Sequence, residues 1–171
     1  MMSRKKGTVI DDAFLERRLR DAWEYRKATV DTGSCRIVFG EADFLPGIVI
    51  DKYGTVLTVQ SLALGIDKMK LQIIELLKKI LAEDGIVITG VYERSDASVR
   101  KLEGLEEKKG WIFGSYQTKI TIKENDVLLE VDIENGQKTG YFLDQKFNRK
   151  QACLFAQNKK ILDTCTHTGA F

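Results

Sequence analysis

The sequence is poor in the features that mark membrane, secreted and disordered chains. It holds one proline in 171 residues, with 43% hydrophobic and 30% charged side chains, a composition that excludes fibrous and low-complexity classes and allows a buried core. No apolar run approaches the roughly 20 residues that cross a bilayer. The N-terminus, Met1-Met2-Ser3-Arg4-Lys5-Lys6, leads into polar residues rather than an apolar signal core, which argues against secretion. The three cysteines, Cys35, Cys153 and Cys165, are odd in number and far apart. They lack the dense pairing of small secreted domains, so a reducing, cytoplasmic setting is expected. Net charge is only +2, although residues 1–30 carry +3 and the remainder −1. A solvated helix face accounts for that asymmetry better than a basic arm on phosphate.

The length allows one domain, or one domain with a piece of another. Asp11-Asp12 is placed to cap a helix running to about residue 27, because Leu15, Leu19, Ala22 and Trp23 recur at helical spacing,. Residues 35–39, 48–51 and 55–62 read as strands, separated by Pro46-Gly47 and by Lys52-Tyr53-Gly54,. From 67 to about 82, the stripe Met69, Ile73, Leu76, Leu77, Ile80 and Leu81 predicts a helix packed on a sheet,. Its polar face is expected to carry Lys68, Lys70, Glu75 and Lys78. Residues 86–92 read as a strand of the same sheet and 97–102 as a short helix before Gly104, while 111–113 is too short to assign,. Residues 118–123 and 127–133 alternate around Glu124-Asn125-Asp126 and predict a hairpin,. The composition then changes near Asn135-Gly136, the best boundary. A polar stretch to Gly140, a helix over 144–156 and a strand over 160–163 leading into Thr168-Gly169 read as the beginning of an α/β unit,.

The glycine-containing turn after Ile161-Leu162-Asp163 would lie at the carboxyl end of a strand, where open α/β sheets bind nucleotides. Taken alone, one glycine and one carboxylate favour an ordinary strand-to-helix turn. The preceding run, Gly136-Gln137-Lys138-Thr139-Gly140-Tyr141-Phe142-Leu143-Asp144-Gln145-Lys146-Phe147-Asn148-Arg149, changes that balance. It resembles the G-x-K-T-G-x-F-L-D-Q-[RK]-x-N-R signature of class I S-adenosylmethionine-dependent methyltransferases of the large-subunit ribosomal RNA cytosine-5 family. The resemblance extends upstream to Arg36-Ile37-Val38-Phe39-Gly40-Glu41-Ala42-Asp43-Phe44-Leu45-Pro46-Gly47, to Asp51-Lys52-Tyr53-Gly54 and to Tyr92-Glu93-Arg94-Ser95-Asp96. Val99-Arg100-Lys101-Leu102-Glu103-Gly104-Leu105 follows in the family's order. Phe44, His167 and Ala170 depart from the commoner residues at their positions.

The resemblance implies an α/β fold class: residues 1–34 as a helical tail of a PUA region, 35–135 as a middle α+β domain, and 136–171 as the start of a Rossmann-like methyltransferase domain. The middle domain is expected to have a mixed or antiparallel sheet and one long packed helix. S-adenosylmethionine is implied as cofactor, with Phe142, Gln145 and Arg149 beside it and Asp163, Thr168 and Gly169 in its first loop. The implied partner is ribosomal RNA. An aromatic ring can pack on adenine or a thioether, an amide can donate and accept, and a guanidinium can grip a carboxylate.

Cytosine-5 methylation is expected to use a cysteine thiolate that adds to C6 of the base. The resemblance puts that cysteine beyond Phe171, so the chain is expected to be a piece of a longer enzyme and to transfer no methyl group alone. Cys35, Cys153 and Cys165 read as packing residues. Cys165-Thr166-His167 offers two metal ligands where structural zinc takes four, so no metal site is expected. Another reading makes the chain a non-catalytic RNA-binding or oligomerisation module. In it Arg94, Arg100 and Lys101 meet phosphate, and the C-terminal strand pairs with a second copy.

Overall fold

The computed structural model describes residues 2–164, Thr166, Gly169 and Ala170. Helix α1 (Asp12–Thr29) starts where the Asp11 carboxylate accepts a hydrogen bond from the Phe14 amide at 2.9 Å, satisfying one of the helix's orphan donors. It buries Phe14, Leu15, Leu19, Ala22 and Trp23. Strands β1 (Ser34–Phe39), β2 (Ile48–Tyr53) and β3 (Val56–Ser61) then form an antiparallel meander. Helix α2 (Leu64–Glu83) carries the chain back so that β4 (Gly90–Ser95) pairs in parallel with β3, as a helical crossover requires. Strand β5 (Lys108–Phe113) returns antiparallel to β4, giving the mixed order β1-β2-β3-β4-β5. A separate hairpin, β6 (Lys119–Glu124) and β7 (Val127–Asp132), is followed by a 3₁₀ turn at Leu143–Gln145 and helix α3 (Lys146–Ala156).

The two-residue period of the strands sorts side chains to opposite faces of the sheet. Ile48, Ile50, Leu57, Val59 and Val91 meet α1 and α2 in the main core. Tyr53, Val56 and Tyr92 point the other way and pack with Ile122, Val131, Ile133 and Tyr141 in a second core. The Trp23 indole donates to Asp84 at 2.6 Å, tying α1 to the end of α2.

Several expectations are corrected. Helix α2 starts three residues earlier than the stripe suggests, and Lys70 lies on its buried face, paired with Asp67 at 3.1 Å and Glu93 at 2.5 Å. Residues 86–89 precede the β4 ladder: pairing with β3 begins at Val56↔Gly90, one residue after Thr89 donates to the Thr55 carbonyl. The 111–113 segment is the end of a six-residue strand. Residues 160–163 form no strand. Ile161 and Leu162 are exposed with no neighbouring strand to supply ladder bonds, and a lone strand has nothing to hold it extended. The strand expected to pair with a second copy is thus not formed among the described residues of the single chain. Cys153 is exposed rather than packed, whereas Cys35 is buried. Cys165, His167 and Thr168 lie outside the described residues. Among those residues no helix is long and apolar enough to cross a membrane.

Candidate functional site

The stretch from Gly136 to Arg149 is bonded into the second core at each end. At Gly136 a Cβ would collide with the carbonyls of Asp132 and Gly140, so only glycine lets the backbone pass. The Arg94 guanidinium donates to the carbonyls of Ile133 at 2.8 Å and Gly136 at 3.1 Å, clamping the same turn.

Next along the chain, the buried Thr139 hydroxyl donates to Asp51 of β2. Asp51 is fully buried and is also held by Arg36, Nε at 2.7 Å and Nη2 at 2.9 Å. The Tyr141 amide donates to the Tyr53 hydroxyl at 3.2 Å, and burial pushes the Tyr53 phenol far above its ordinary range,. The Tyr141 hydroxyl donates to Glu124 at the end of β6, 3.3 Å away. Arg149 reaches the same carboxylate twice, donates to the Phe142 carbonyl at 2.9 Å, and lies 4.5 Å over the Tyr141 ring. Paired and hydrogen-bonded, these buried charges avoid the large cost of isolated ones.

Between the two anchors the chain turns outward. Phe142 is half-buried, and the Lys138 ammonium lies 4.5 Å from its ring. Lys138 also bridges to Asp144 at 3.0 Å. Burial opposes ionisation of Asp144, but hydrogen bonds from Lys138, the backbone and Gln145, together with the Lys138 charge, outweigh it and hold the carboxyl below its ordinary value. Gln145, half-buried at the start of α3, accepts from Asn148 at 2.8 Å. Phe142 and Gln145 thus sit on one short turn. Arg149 is directed inward to Glu124 and supports that turn through the Phe142 carbonyl. Farther on, the Thr166 hydroxyl donates to the Asp163 carbonyl at 3.0 Å, and the Gly169 amide donates to the Thr166 carbonyl at 2.7 Å. Gly169 takes a left-handed φ of +71°, and Ala170 packs against the second core. Thr168 lies outside the described residues.

The residues expected to meet phosphate separate. Arg94 is 7% exposed and Arg100 is 0% exposed. Arg100 donates to the carbonyls of Ser61 and Glu106 and to Asp67 at 3.0 Å. Both guanidiniums serve the framework, since turning either outward would strip buried carbonyls and a carboxylate of their donors. Lys101 is exposed and paired with Glu107 at 2.8 Å.

Three elements that the spacing alone did not bring together enclose a groove of about 360 Å³: the end of α1, the edge strand β1 and the start of α3. Cys35 and Arg36 line it beside Asp144 and Phe147. The Lys146 ammonium bridges to Asp31 at 2.5 Å, and that hydrogen bond, with a second from the Gly33 amide, holds the Asp31 carboxyl below its ordinary value. Desolvation pushes the Cys35 thiol up to about 11, which keeps it protonated and a poor nucleophile.

The latch residue least expected from sequence is Glu124, read as part of a turn. Its signal was its parity with Ile120 and Ile122, which puts a charge on the inward face of β6,.

No protein-family model matches the chain. The protein named Ribosomal RNA large subunit methyltransferase I of Alteromonas mediterranea is 40% identical over 174 positions, covering 100% of this chain and 43% of that protein. Its namesake from Pseudoalteromonas translucida is 41% identical, covering 95% of this chain and 41% of its own length. The chain spans about two-fifths of the length of the curated relatives it matches. Among solved structures, a candidate S-adenosylmethionine-dependent methyltransferase from Streptococcus mutans superposes with a TM-score of 0.70 at 20% identity. The match covers 88% of this chain and 38% of that one. A candidate methyltransferase solved in complex with SAH gives the same score and covers 37% of its chain. At that identity the likeness is one of fold.

Proposed function

We propose that residues 35–135 and 136–171 are the middle domain and the opening of the catalytic domain of an S-adenosylmethionine-dependent enzyme that methylates cytosine C5 in large-subunit ribosomal RNA, with residues 1–34 joining them to a PUA domain. What carries the reading is identity of about 40%, running through the whole chain, to relatives bearing one enzyme name.

In this reading the methyl donor supplies an activated methyl group on a sulfonium sulfur. The Phe142 ring packs on its adenine or thioether, and the Gln145 amide donates and accepts beside it. The Asp163 carboxylate takes hydrogen bonds from ammonium or hydroxyl groups, and Gly169 lets the backbone approach closely; Thr168 is assigned to the same loop by the resemblance. Arg149, committed to Glu124, contributes by fixing the Phe142 carbonyl. The thiolate that attacks the base is assigned, by the family resemblance alone, to a part of the enzyme outside these 171 residues; the Cys35 thiol is buried and protonated. The 171-residue chain alone is expected to transfer no methyl group.

Disrupting the gene in its own organism and mapping large-subunit ribosomal RNA by mass spectrometry tests the assignment. One 5-methylcytidine is expected to disappear and to return with the intact gene. Unchanged methylation would refute the substrate.

A further inference from the structure

We propose that the groove between α1, β1 and α3 is a contact surface for single-stranded RNA, resting on the reading that RNA is the substrate. Three aromatic rings stand exposed along it: Tyr25 at 62%, Phe39 at 53% and Phe147 at 57%. Exposed rings clustered along one concave wall mark binding surfaces, and Tyr25 and Phe39 belong to α1 and β1, elements whose own cores are filled. Each flat face is a platform for an unstacked base, whatever the base's identity. Two rings are already oriented by cations, with the Arg26 guanidinium 5.3 Å from the Tyr25 ring and the Arg36 guanidinium 5.0 Å from Phe39.

The charge balance has the matching sign. The groove continues past Phe147 into a second depression of about 460 Å³ at the hairpin tip, sharing Asp31 and Lys146 with the first. Arg26, Arg36, Lys123, Lys146 and Lys150 line the combined path. Asp43 and Asp51 pair with Arg26 and Arg36 from behind the wall, Asp126 and Asp31 pair with Lys123 and Lys146, and Asp144 is bridged by Lys138, so the surplus positive charge on the path is that of Lys150. Lys150 makes no ion pair among the described residues, so it is available to a phosphate. Aromatic platforms flanked by unequal charge suit a single strand whose bases splay onto rings while its backbone follows the cations. A duplex keeps its bases stacked and offers the rings nothing. The groove adjoins the Leu143–Gln145 turn, since Leu143 and Asp144 line it, so a strand lying there approaches the proposed methyl-donor flank.

Fluorescence anisotropy with the full 171-residue chain tests this, using a labelled single-stranded RNA of roughly 12 nucleotides and a duplex of the same sequence. The single strand should bind more tightly than the duplex, and its affinity should fall steeply between about 50 and 200 mM salt. Tyr25→Ala and Phe147→Ala should each weaken it by about tenfold. Lys150→Gln should reduce the slope of log affinity on log salt by about one. Phe113→Ala, an exposed ring on β5 at the other edge of the sheet, should change nothing. The altered rings are exposed, so thermal melts should be unchanged, and Tyr25→Phe should bind as the parent does. Equal affinity for duplex and single strand, no binding, or binding indifferent to the ring truncations would overturn the proposal. Loss of 5-methylcytidine on gene disruption would then leave the enzymatic reading standing, and groove binding without that loss would do the reverse.

Discussion

Glu124 and Arg149 form a bidentate ion pair, Nε to Oε1 at 2.6 Å and Nη2 to Oε2 at 3.0 Å, with both side chains almost wholly buried. The pair fastens the start of α3 to the end of β6. Through the Arg149 bond to the Phe142 carbonyl, it also sets the turn between them. Truncating one partner strands the other charge, which typically costs about 3–5 kcal/mol. Glu124→Ala should therefore lower the urea midpoint, and Glu124→Gln, which keeps an acceptor, should lower it less. Amide exchange should rise most over residues 139–149. A midpoint within error of the parent would contradict this account of the latch.

Gly136→Ala should destabilise the chain as well, because the added carbon meets two backbone carbonyls that have nowhere to go. A loss of more than about 1–3 kcal/mol is expected, the range for overpacking, read from chemical denaturation. Gly54→Ala, at a turn with open space around it, suffers only the left-handed φ of +58° and should lose less.

Asp67 gives the acid limb of stability its shape. Burial raises the cost of its charge, yet hydrogen bonds from Arg100, Ser61 and Lys70 overcome that and hold its carboxyl at about 2, below the ordinary 3.8. A depressed carboxylate contributes stability above its unfolded pKa and loses it as the pH falls through the folded value. Between about pH 4 and pH 2 the parent should lose about 2 kcal/mol from this group. An Asp67→Asn chain, less stable at neutral pH, should show a flatter slope over that window in pH-dependent unfolding. Identical slopes would contradict the assignment.

Cysteine reactivity should divide by burial. With its thiol pushed up to about 11 by desolvation, Cys35 should resist alkylation in the native chain near pH 8, while Cys153, exposed on α3, is modified. Peptide mapping after timed iodoacetamide treatment distinguishes the two, and equal labelling in the folded state would exclude a buried Cys35.

Much of the framework was legible in residue spacing. Leu15, Leu19, Ala22 and Trp23 announce α1, and the hairpin follows from alternation around Glu124-Asn125-Asp126. What periodicity could not supply was the partner of each buried charge. Lys70 looked like a solvent-facing lysine until α2 was set against β4, where Glu93 awaits it. Arg94 and Arg100 looked like phosphate ligands because a chain of letters does not show which carbonyls lie within reach. The 160–163 run has strand propensity but no neighbour, and ladder bonds come from a neighbour. The Gly136–Arg149 signature was readable as a unit, whereas its division into inward anchors, Thr139, Tyr141 and Arg149, and an outward turn, Phe142–Gln145, required the fold.

The central claim is that this outward turn is one wall of a methyl-donor site. Titrating the ¹⁵N-labelled chain with S-adenosylhomocysteine and following amide shifts tests it most directly. The account predicts weak, saturable shifts concentrated at residues 142–145 and 163–169, abolished in Phe142→Ala while the rest of the spectrum is retained. Shifts confined to another surface, or none at concentrations approaching the ligand's solubility, would contradict it.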